Sequence, residues 1–477
     1  MGQRAVLNSQ RCNLISIKVS EVRQEYWIAM HTDLIERYGG AVPRYTSYPT
    51  APQFHDGIGA DQYAAWLHTL PDRETISLYL HVPFCARMCW YCGCHTKIVN
   101  RPEPIHAYAE TLIREIALTA AATQSPRVSH VHWGGGTPTI LSPADFEAVM
   151  SEIRHHFEIQ DSAELAVEID PRTLTPEMSE SLARSGVNRV SLGIQDFDPV
   201  VQKAINRVQT FRQTRAVAER LRELGIQGLN LDLMYGLPHQ GLAAVLSTID
   251  QAVALKPDRI SLFGYAHVPW MKSHQKMIDE AALPAGVERW QHAEAAAERL
   301  SAHGFRRIGF DHFARPGDPL TVALEAGRLR RNFQGYTDDE AQTLLGFGAS
   351  SIGSLPQGYV QNSPSIRQWR RDVEDGKFPI VKGCELAPED DLRRNLISRL
   401  ICDMGVDLTT YQSRHGAPSD GFADELRRLQ PLADDGLVSL DGPRIQVTDN
   451  GRPFVRNVCA VFDTYLENGN GRHSRAV

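Results

Sequence analysis

From Ile76 to about residue 303, short runs rich in β-branched residues alternate with longer amphipathic segments. The runs are ISLYLHV (76–82), VSHVHW (128–133), AELAVEI (163–169), NRVSLGI (188–194), LNLDLMY (229–235) and RISLFGY (259–265). They read as buried runs rather than open alternations, as expected of parallel strands covered on both sides. Helix starts follow several of them. Ser142-Pro143, Thr175-Pro176 and Asp198-Pro199 each pair a good N-cap with proline at the first helical position. Six strand–helix units in a row predict a parallel α/β architecture. Six units rather than eight fit a partial barrel or an open doubly wound sheet, and periodicity does not separate the two.

At 477 residues the chain is too long for one small core; two or three domains, or one barrel with additions, are expected. A net charge of −7 argues against general nucleic-acid binding. No apolar run approaches the ~20 residues of a membrane helix. The stretch NLISIKVS near the N-terminus is short and interrupted by Lys18, so it is not a secretion signal. Residues 1–29 match no assignable pattern, and translation is expected to start at Met30. Cys12, Cys384, Cys402 and Cys459 are scattered and suit buried small apolar residues, which points to a reducing, cytoplasmic setting.

Beyond the alternating region the pattern changes. Residues 305–375 are rich in Gly, Pro and Arg and read as extensions and loops. Residues 386–404 are expected to be helical, and 421–466 to form helix, two-stranded wing and helix, which resembles a winged helix. Asp424, Glu425, Asp434, Asp435 and Asp441 argue against DNA binding there and for structural or lid use.

The other half of the cysteine complement is concentrated in FCARMCWYCGCH, from Phe84 to His95, with Cys85, Cys89, Cys92 and Cys94 spaced C-x3-C-x2-C-x-C. The segment follows the first strand, where parallel α/β folds place their sites. Pro83 and Gly93 mark it as a loop with little core for packed thiols. Structural zinc favours two separated pairs of ligands, which are absent here. Three thiolates in a short loop instead suit one face of an iron–sulfur cubane, with one iron left open for a small molecule.

This spacing resembles that of the radical S-adenosylmethionine (SAM) enzymes. The resemblance implies an α/β fold, a partial (β/α)6 barrel, and assigns Cys85, Cys89 and Cys92 to one [4Fe-4S] cluster. Tyr91 then resembles the aromatic residue near the adenine, and Cys94 is extra, a weak catalytic candidate. HWGGGTPT (132–139) resembles the family's glycine motif, and no Lys-Ser/Thr pair follows the glycines as a phosphate loop would need. Glu168, Gln195, Asp232 and Ala266 fall at or just after successive strand ends, where a barrel assembles its site.

The full motif set resembles the oxygen-independent coproporphyrinogen III oxidases, also called coproporphyrinogen dehydrogenases. The likeness runs from about Tyr38 to Tyr465 and includes PRYTSYPTA (43–51), CGC (92–94), VEIDPR, GIQDF, LDLMYGLP, DHFARP (311–316) and RNFQGYT (331–337). It implies two SAM molecules, the first contacted by Tyr79, Gly135, Glu168 and Ile352. The second would meet Tyr91, Gly136, Thr137, Gln195, Arg207, Asp232 and Ala266. The implied reaction converts two propionates of coproporphyrinogen III to vinyl groups through a 5′-deoxyadenosyl radical, giving protoporphyrinogen IX in haem biosynthesis. An unidentified reductant and electron acceptor are expected as partners, with no nucleic acid and no membrane span, for a monomer.

The implied organisation has an unassigned extension (1–29), a substrate-covering segment (30–75) and the barrel with extensions (76–375). A mostly helical, winged-helix-like C-terminal domain (376–466) and a mobile tail (467–477) complete it. The rival reading is a haem-binding chaperone of the same superfamily. Those relatives lack the fourth cysteine and PRYTSYPT, and carry His-Asn-x-x-Tyr-Trp where this chain has Arg331-Asn332 and Gly335-Tyr336. Arg44, Arg328, Arg330 and Arg331 are expected to supply part of a carboxylate pocket, since arginine binds carboxylates through two parallel hydrogen bonds. His81, His95 and His132 are expected to be packed or hydrogen-bonded rather than ligands.

Overall fold

The computed structural model describes residues 32–466 except Ser125 and residues 417–420. The extension 1–29 with Cys12, Met30 and the tail 467–477 therefore lie outside the described residues. The six expected strands form as β1 (Thr75–Val82), β2 (Arg127–Gly135), β3 (Glu158–Ile169), β4 (Arg189–Gln195), β5 (Gly228–Tyr235) and β6 (Arg259–Gly264). Each pairs in parallel with the next. Their spatial order follows the chain without reversal. Right-handed crossovers then send every connecting helix to the same face, whereas a doubly wound sheet needs a reversal. The sheet curls into a partial barrel with its helices outside, which resolves the ambiguity left by periodicity.

The helix starts form where the Ser/Thr/Asp-Pro pairs place them. Ser142 Oγ accepts from Asp145 N, Thr175 Oγ1 from Met178 N, and Asp198 from Val200 N and Val201 N. Each side chain satisfies backbone donors that the first helical turn leaves open.

The strands divide their residues between an outer core and an inner cavity. Leu78, Leu80, Val131, Trp133, Leu165, Val167, Leu192, Leu231 and Ile260 belong to the apolar core. That core also takes in Leu112, Val149 and Leu182 from the surrounding helices Pro102–Ala121, Pro143–His156 and Pro176–Arg184. The intervening residues are polar, small or aromatic and line a cavity of about 190 Å³ inside the barrel, among them Ser77, His132, Glu164, Ser191, Asn230 and Asp232. These polar groups share the cavity with apolar side chains such as Leu78, Val131 and Leu344. The alternation was hard to read because Ser, Tyr, Gly and Ala stand among its inward residues.

The expectation of loops over 305–375 is corrected. β7 (Arg306–Ile308) and β8 (His312–Ala314) extend one sheet edge, antiparallel to their neighbours. On the other edge β9 (Thr343–Phe347) runs parallel to β1, and β10 (Ile352–Leu355), β11 (Gly358–Asn362) and β12 (Ile380–Glu385) follow antiparallel. The sheet has twelve strands, ordered β12-β11-β10-β9-β1-β2-β3-β4-β5-β6-β8-β7. These added strands are three to six residues long and broken by glycines, too short for a periodic signal.

The C-terminal region has a helix Pro388–Asp403, a helix Ala423–Asp434, wing strands Val438–Asp441 and Arg444–Val447, and a last helix Val455–Ala460. Gly405–Asp407 adds a third strand to the wing. A second apolar core joins this region to the N-terminal segment: Leu34, Val42, Tyr45 and Tyr48 pack with Leu396, Leu400, Phe422 and Phe462. Cys384, Cys402 and Cys459 are buried, as their scatter suggested. No described helix is long and apolar enough to cross a membrane.

Candidate active site

The cysteine loop is pinned at its base and along its length. Phe84–Cys85 pairs with Lys97–Ile98, and Lys97 N donates to Pro83 O at 2.7 Å. The loop's carbonyl oxygens are held by side chains from two other strand ends. Asn206 Nδ2 donates to Met88 O at 2.7 Å. Gln275 Nε2 donates to Tyr91 O at 2.9 Å and Lys272 Nζ to Cys94 O at 2.9 Å, while His274 Nε2 lies 2.7 Å from Cys92 O. A loop with so many of its carbonyls engaged presents its thiols in one arrangement.

The thiols differ in surroundings. Cys89 is buried, Cys85 and Cys92 are half-buried, and Cys94 is exposed. Arg172 Nη2 and Arg207 Nη1 approach Cys89 Sγ at 3.4 and 3.5 Å. Both arginines pair with Asp170, at 2.6 and 3.4 Å. Burial opposes ionisation of Asp170, but the two guanidinium groups outweigh it and hold its carboxyl below the ordinary range. Cys85 Sγ lies 3.6 Å from Thr137 Oγ1, and burial pushes the Cys85 thiol up to about 11. The contact with Cys94 brings Cys92 down to about 6, with His274 and Lys272 acting in the same direction, and pushes Cys94 up.

Among the described residues, no three His, Cys, Asp or Glu side chains are arranged around a single metal-ion position. The donor set fits an iron–sulfur cluster: three soft thiols on one short loop, with two cations at the most buried of them to offset added negative charge.

Beside the loop, β1, β2 and β3 come together. A Cβ on Gly135 would sit 2.6 Å from the His81 ring, and one on Gly136 would sit 2.5 Å from Phe84 O. Gly135 also has φ +109°, which side chains rarely adopt. The glycines let the turn lie flat against the start of the cysteine loop, and Thr137 N donates to Phe84 O at 2.8 Å. Glu168 accepts from Gly135 N at 3.1 Å and lies 3.3 Å from His132 Nε2. Tyr79 stacks on His132, and its hydroxyl meets His81 Nδ1 at 3.0 Å. His81 Nε2 reaches His95 O at 3.3 Å, and burial takes His81 down to about 4, so it is neutral. All three histidines are hydrogen-bonded, as expected.

The structure thus gathers Tyr79, Gly135, Gly136, Thr137 and Glu168 at one rim. Ile352 joins them from β10: Gly346 lies in register with Tyr79, and its missing Cβ faces Ile352 O at 2.7 Å. Tyr91 packs in a separate apolar cluster with Val201, Ile205 and Tyr265. Arg207 donates to Gly193 O, linking the thiol loop to β4. Gln195 ends β4 with φ +71°, a backbone position that costs about 1–3 kcal/mol for a residue with a side chain. Asp232 sits deeper, accepting from Ser191 Oγ and Asn230 Nδ2 at 2.8 Å, with its carboxyl pushed up by burial. Ala266 O accepts from Gln275 Nε2 at 3.3 Å.

Sequence reasoning missed Asp170, Arg172 and the 272–275 segment. Asp170 and Arg172 stand within the VEIDPR motif and could have been read as charges beside a thiol; Lys272, His274 and Gln275 carry no motif. Three of the four arginines expected in a carboxylate pocket have partners within the protein. Arg328 is exposed and pairs with Glu340, and Arg330 donates to Glu340 O at 2.9 Å. Arg331 is buried, 3.5 Å from Asp311, with its guanidinium 4.5 Å from the centre of the Tyr336 ring. These three are held by local partners; Arg44 is exposed, and among the described residues no hydrogen bond or ion pair holds it.

Comparison with known proteins matches residues 79–252 to the Radical SAM superfamily and residues 386–454 to the HemN C-terminal domain. An oxygen-independent coproporphyrinogen III oxidase of Bradyrhizobium diazoefficiens is 52% identical over 450 residues, covering 94% of this chain and 100% of the relative. The Pseudomonas aeruginosa protein of the same name is 41% identical, covering 94% and 99%. The solved structure of the Escherichia coli coproporphyrinogen III oxidase HemN, described as a radical SAM enzyme, superposes with a TM-score of 0.85 at 37% identity, covering 91% and 99%. With thiol loop, glycine turn and whole-chain likeness in agreement, the chain belongs to the oxygen-independent coproporphyrinogen III oxidase family of the radical SAM superfamily.

Proposed function

We propose that this protein carries out the anaerobic oxidative decarboxylation of two propionate groups of coproporphyrinogen III, giving protoporphyrinogen IX. The observation that carries the reading is the meeting of the thiol loop, the Gly134–Thr137 turn and Glu168 at the open end of a polar barrel chamber. Each propionate becomes a vinyl group by losing one hydrogen atom from its β-carbon, carbon dioxide, and one electron to an acceptor. That β-carbon hydrogen is not acidic enough for a His or Glu base. When bound, the cluster and SAM supply the one-electron hydrogen-abstracting chemistry.

The chain's own residues bind, orient and exclude. Cys85, Cys89 and Cys92 would hold the cluster, with Arg172 and Arg207 beside Cys89 offsetting its charge. Tyr79, Gly135, Glu168 and Ile352 would receive one SAM, Glu168 offering a carboxylate to its amino group. Tyr91, Gly136, Thr137, Gln195, Arg207, Asp232 and Ala266 would receive a second, on the side of the loop where Arg207 and Gln275 anchor it. A cytoplasmic monomer served by a separate reductant and electron acceptor completes the proposal.

The test is anaerobic purification, reconstitution with iron and sulfide, and incubation with coproporphyrinogen III, SAM and a reductant. Protoporphyrinogen IX, carbon dioxide and 5′-deoxyadenosine are expected. Stoichiometric haem binding with no turnover would overturn the reading in favour of a chaperone.

A further inference from the structure

Arg44 is an exposed residue in a crowded place. It follows Pro43, which is buried, and precedes Tyr45, whose side chain is buried and whose backbone has φ +48°. Tyr45 Oη donates to Asp463 at 3.0 Å, and Arg456 Nη1 donates to Val42 O at 3.2 Å. The chain on both sides of Arg44 is therefore tied to the C-terminal region, while Arg44 itself is exposed. It lies within electrostatic reach of Asp311, Arg331, Tyr235 and Cys94. Burial lowers its pKa, with Asp311 acting against the shift and Arg331 in the same direction as burial.

Asp311 is the carboxylate that Arg44, Arg331 and Arg456 all feel, and it is already within 3.5 Å of Arg331 and 2.7 Å of His312 Nδ1. Arg456, 7% exposed, is repelled by Arg44. Among the described residues Arg44 has no hydrogen-bonding or ion-pair partner within the protein. A guanidinium held by its backbone in a protein-walled opening, with a second cation behind it, is built for an incoming carboxylate, which it can bind through two parallel hydrogen bonds.

We propose that Arg44, backed by Arg456, binds a propionate carboxylate of the tetrapyrrole substrate at the barrel mouth beside Cys94. This rests on the substrate reading above. It makes the site composite: the cysteine loop comes from the barrel, Arg44 from the N-terminal segment, and Arg456 from the last helix.

Coproporphyrin III, the fluorescent oxidised form of the substrate, is a suitable probe. Its binding to the reconstituted enzyme is followed by fluorescence quenching, alongside its tetramethyl ester and alongside turnover of coproporphyrinogen III. The Arg44→Gln variant should bind the tetra-acid at least tenfold more weakly, bind the ester no differently from the unaltered protein, and raise KM more than it lowers kcat. Arg328→Gln, whose side chain pairs with Glu340 at the surface, should match the unaltered protein in every assay. If the unaltered protein neither binds the tetra-acid nor turns over the porphyrinogen, the substrate reading fails. If it does both and Arg44→Gln does so equally, the Arg44 assignment alone is overturned. Should Arg44→Gln not fold, Arg44→Lys keeps the charge but not the two-pronged geometry and should still weaken tetra-acid binding severalfold; unchanged binding would sink the assignment.

Discussion

At the residue scale, the thiol loop separates ligands from their supports. Cys85, Cys89 and Cys92 are each expected to be needed for iron: their Ala variants, reconstituted anaerobically, should lose most bound iron and the visible absorbance that accompanies it. Cys94→Ala should keep both, because Cys94 is exposed and contacts the loop through Cys92. Asp170 is a support. It orders Arg172 and Arg207 against Cys89, and its removal would leave two guanidinium groups, both nearly buried, facing each other. Breaking a pair of this kind costs about 3 kcal/mol, so Asp170→Asn should lower the denaturation midpoint measurably and weaken iron retention. Cysteine spacing made the ligands legible, since the chemistry lies within one short segment. The acid that organises the arginines was not legible, because Arg207 lies 37 positions further along the chain.

At the element scale, the turn after β9 is held by one buried acid. Glu115, on the helix Pro102–Ala121, accepts from Gly348 N at 2.7 Å, Trp369 Nε1 at 3.0 Å and Asn362 Nδ2 at 2.5 Å. Burial pushes its carboxyl up to about 7, against an ordinary 4.5. Between those two values the unfolded chain ionises Glu115 freely while the folded protein keeps it protonated. Stability from this group is therefore full below about pH 4.5 and is lost as pH rises through about 7, by roughly 3 kcal/mol. Chemical denaturation across that range should show the loss, and Glu115→Gln should flatten it. Because this turn leads directly into Ile352 on β10, Glu115→Gln should also raise the KM for SAM more than it lowers kcat. The helix itself was legible from its amphipathic pattern; the turn was not, since β9 and β10 are each too short for one.

At the scale of the whole molecule, the two chain ends depend on each other. Leu34, Val42, Tyr45 and Tyr48 pack with Leu396, Leu400, Phe422 and Phe462 in one core, and Tyr48 Oη lies 3.0 Å from Thr464 Oγ1. Arg393, itself buried, joins Glu425 at 2.7 Å and Phe462 O at 3.1 Å within the C-terminal region. Truncation after residue 385 should uncover this core. Limited proteolysis is then expected to cut rapidly between residues 32 and 50 in the truncated protein and slowly in the full chain, while the barrel resists in both. Equal cleavage rates would show that the N-terminal segment does not need the C-terminal region.

The parallel α/β class, the helix starts and the identities of the thiol and glycine residues could all be read from the chain before folding. Each of these is written in local spacing, where period, capping and ligand geometry act over a few residues. Three further features came from long-range packing. The unreversed strand order made a barrel rather than a doubly wound sheet. The pleat gave runs that looked uniformly buried a second face, which carries His132, Glu164, Asn230 and Asp232 into the barrel cavity. Packing paired Arg331 with Asp311 and left Arg44 exposed beside the same acid. These are relations between residues tens to hundreds of positions apart, and residue type alone does not state which charge will find a partner.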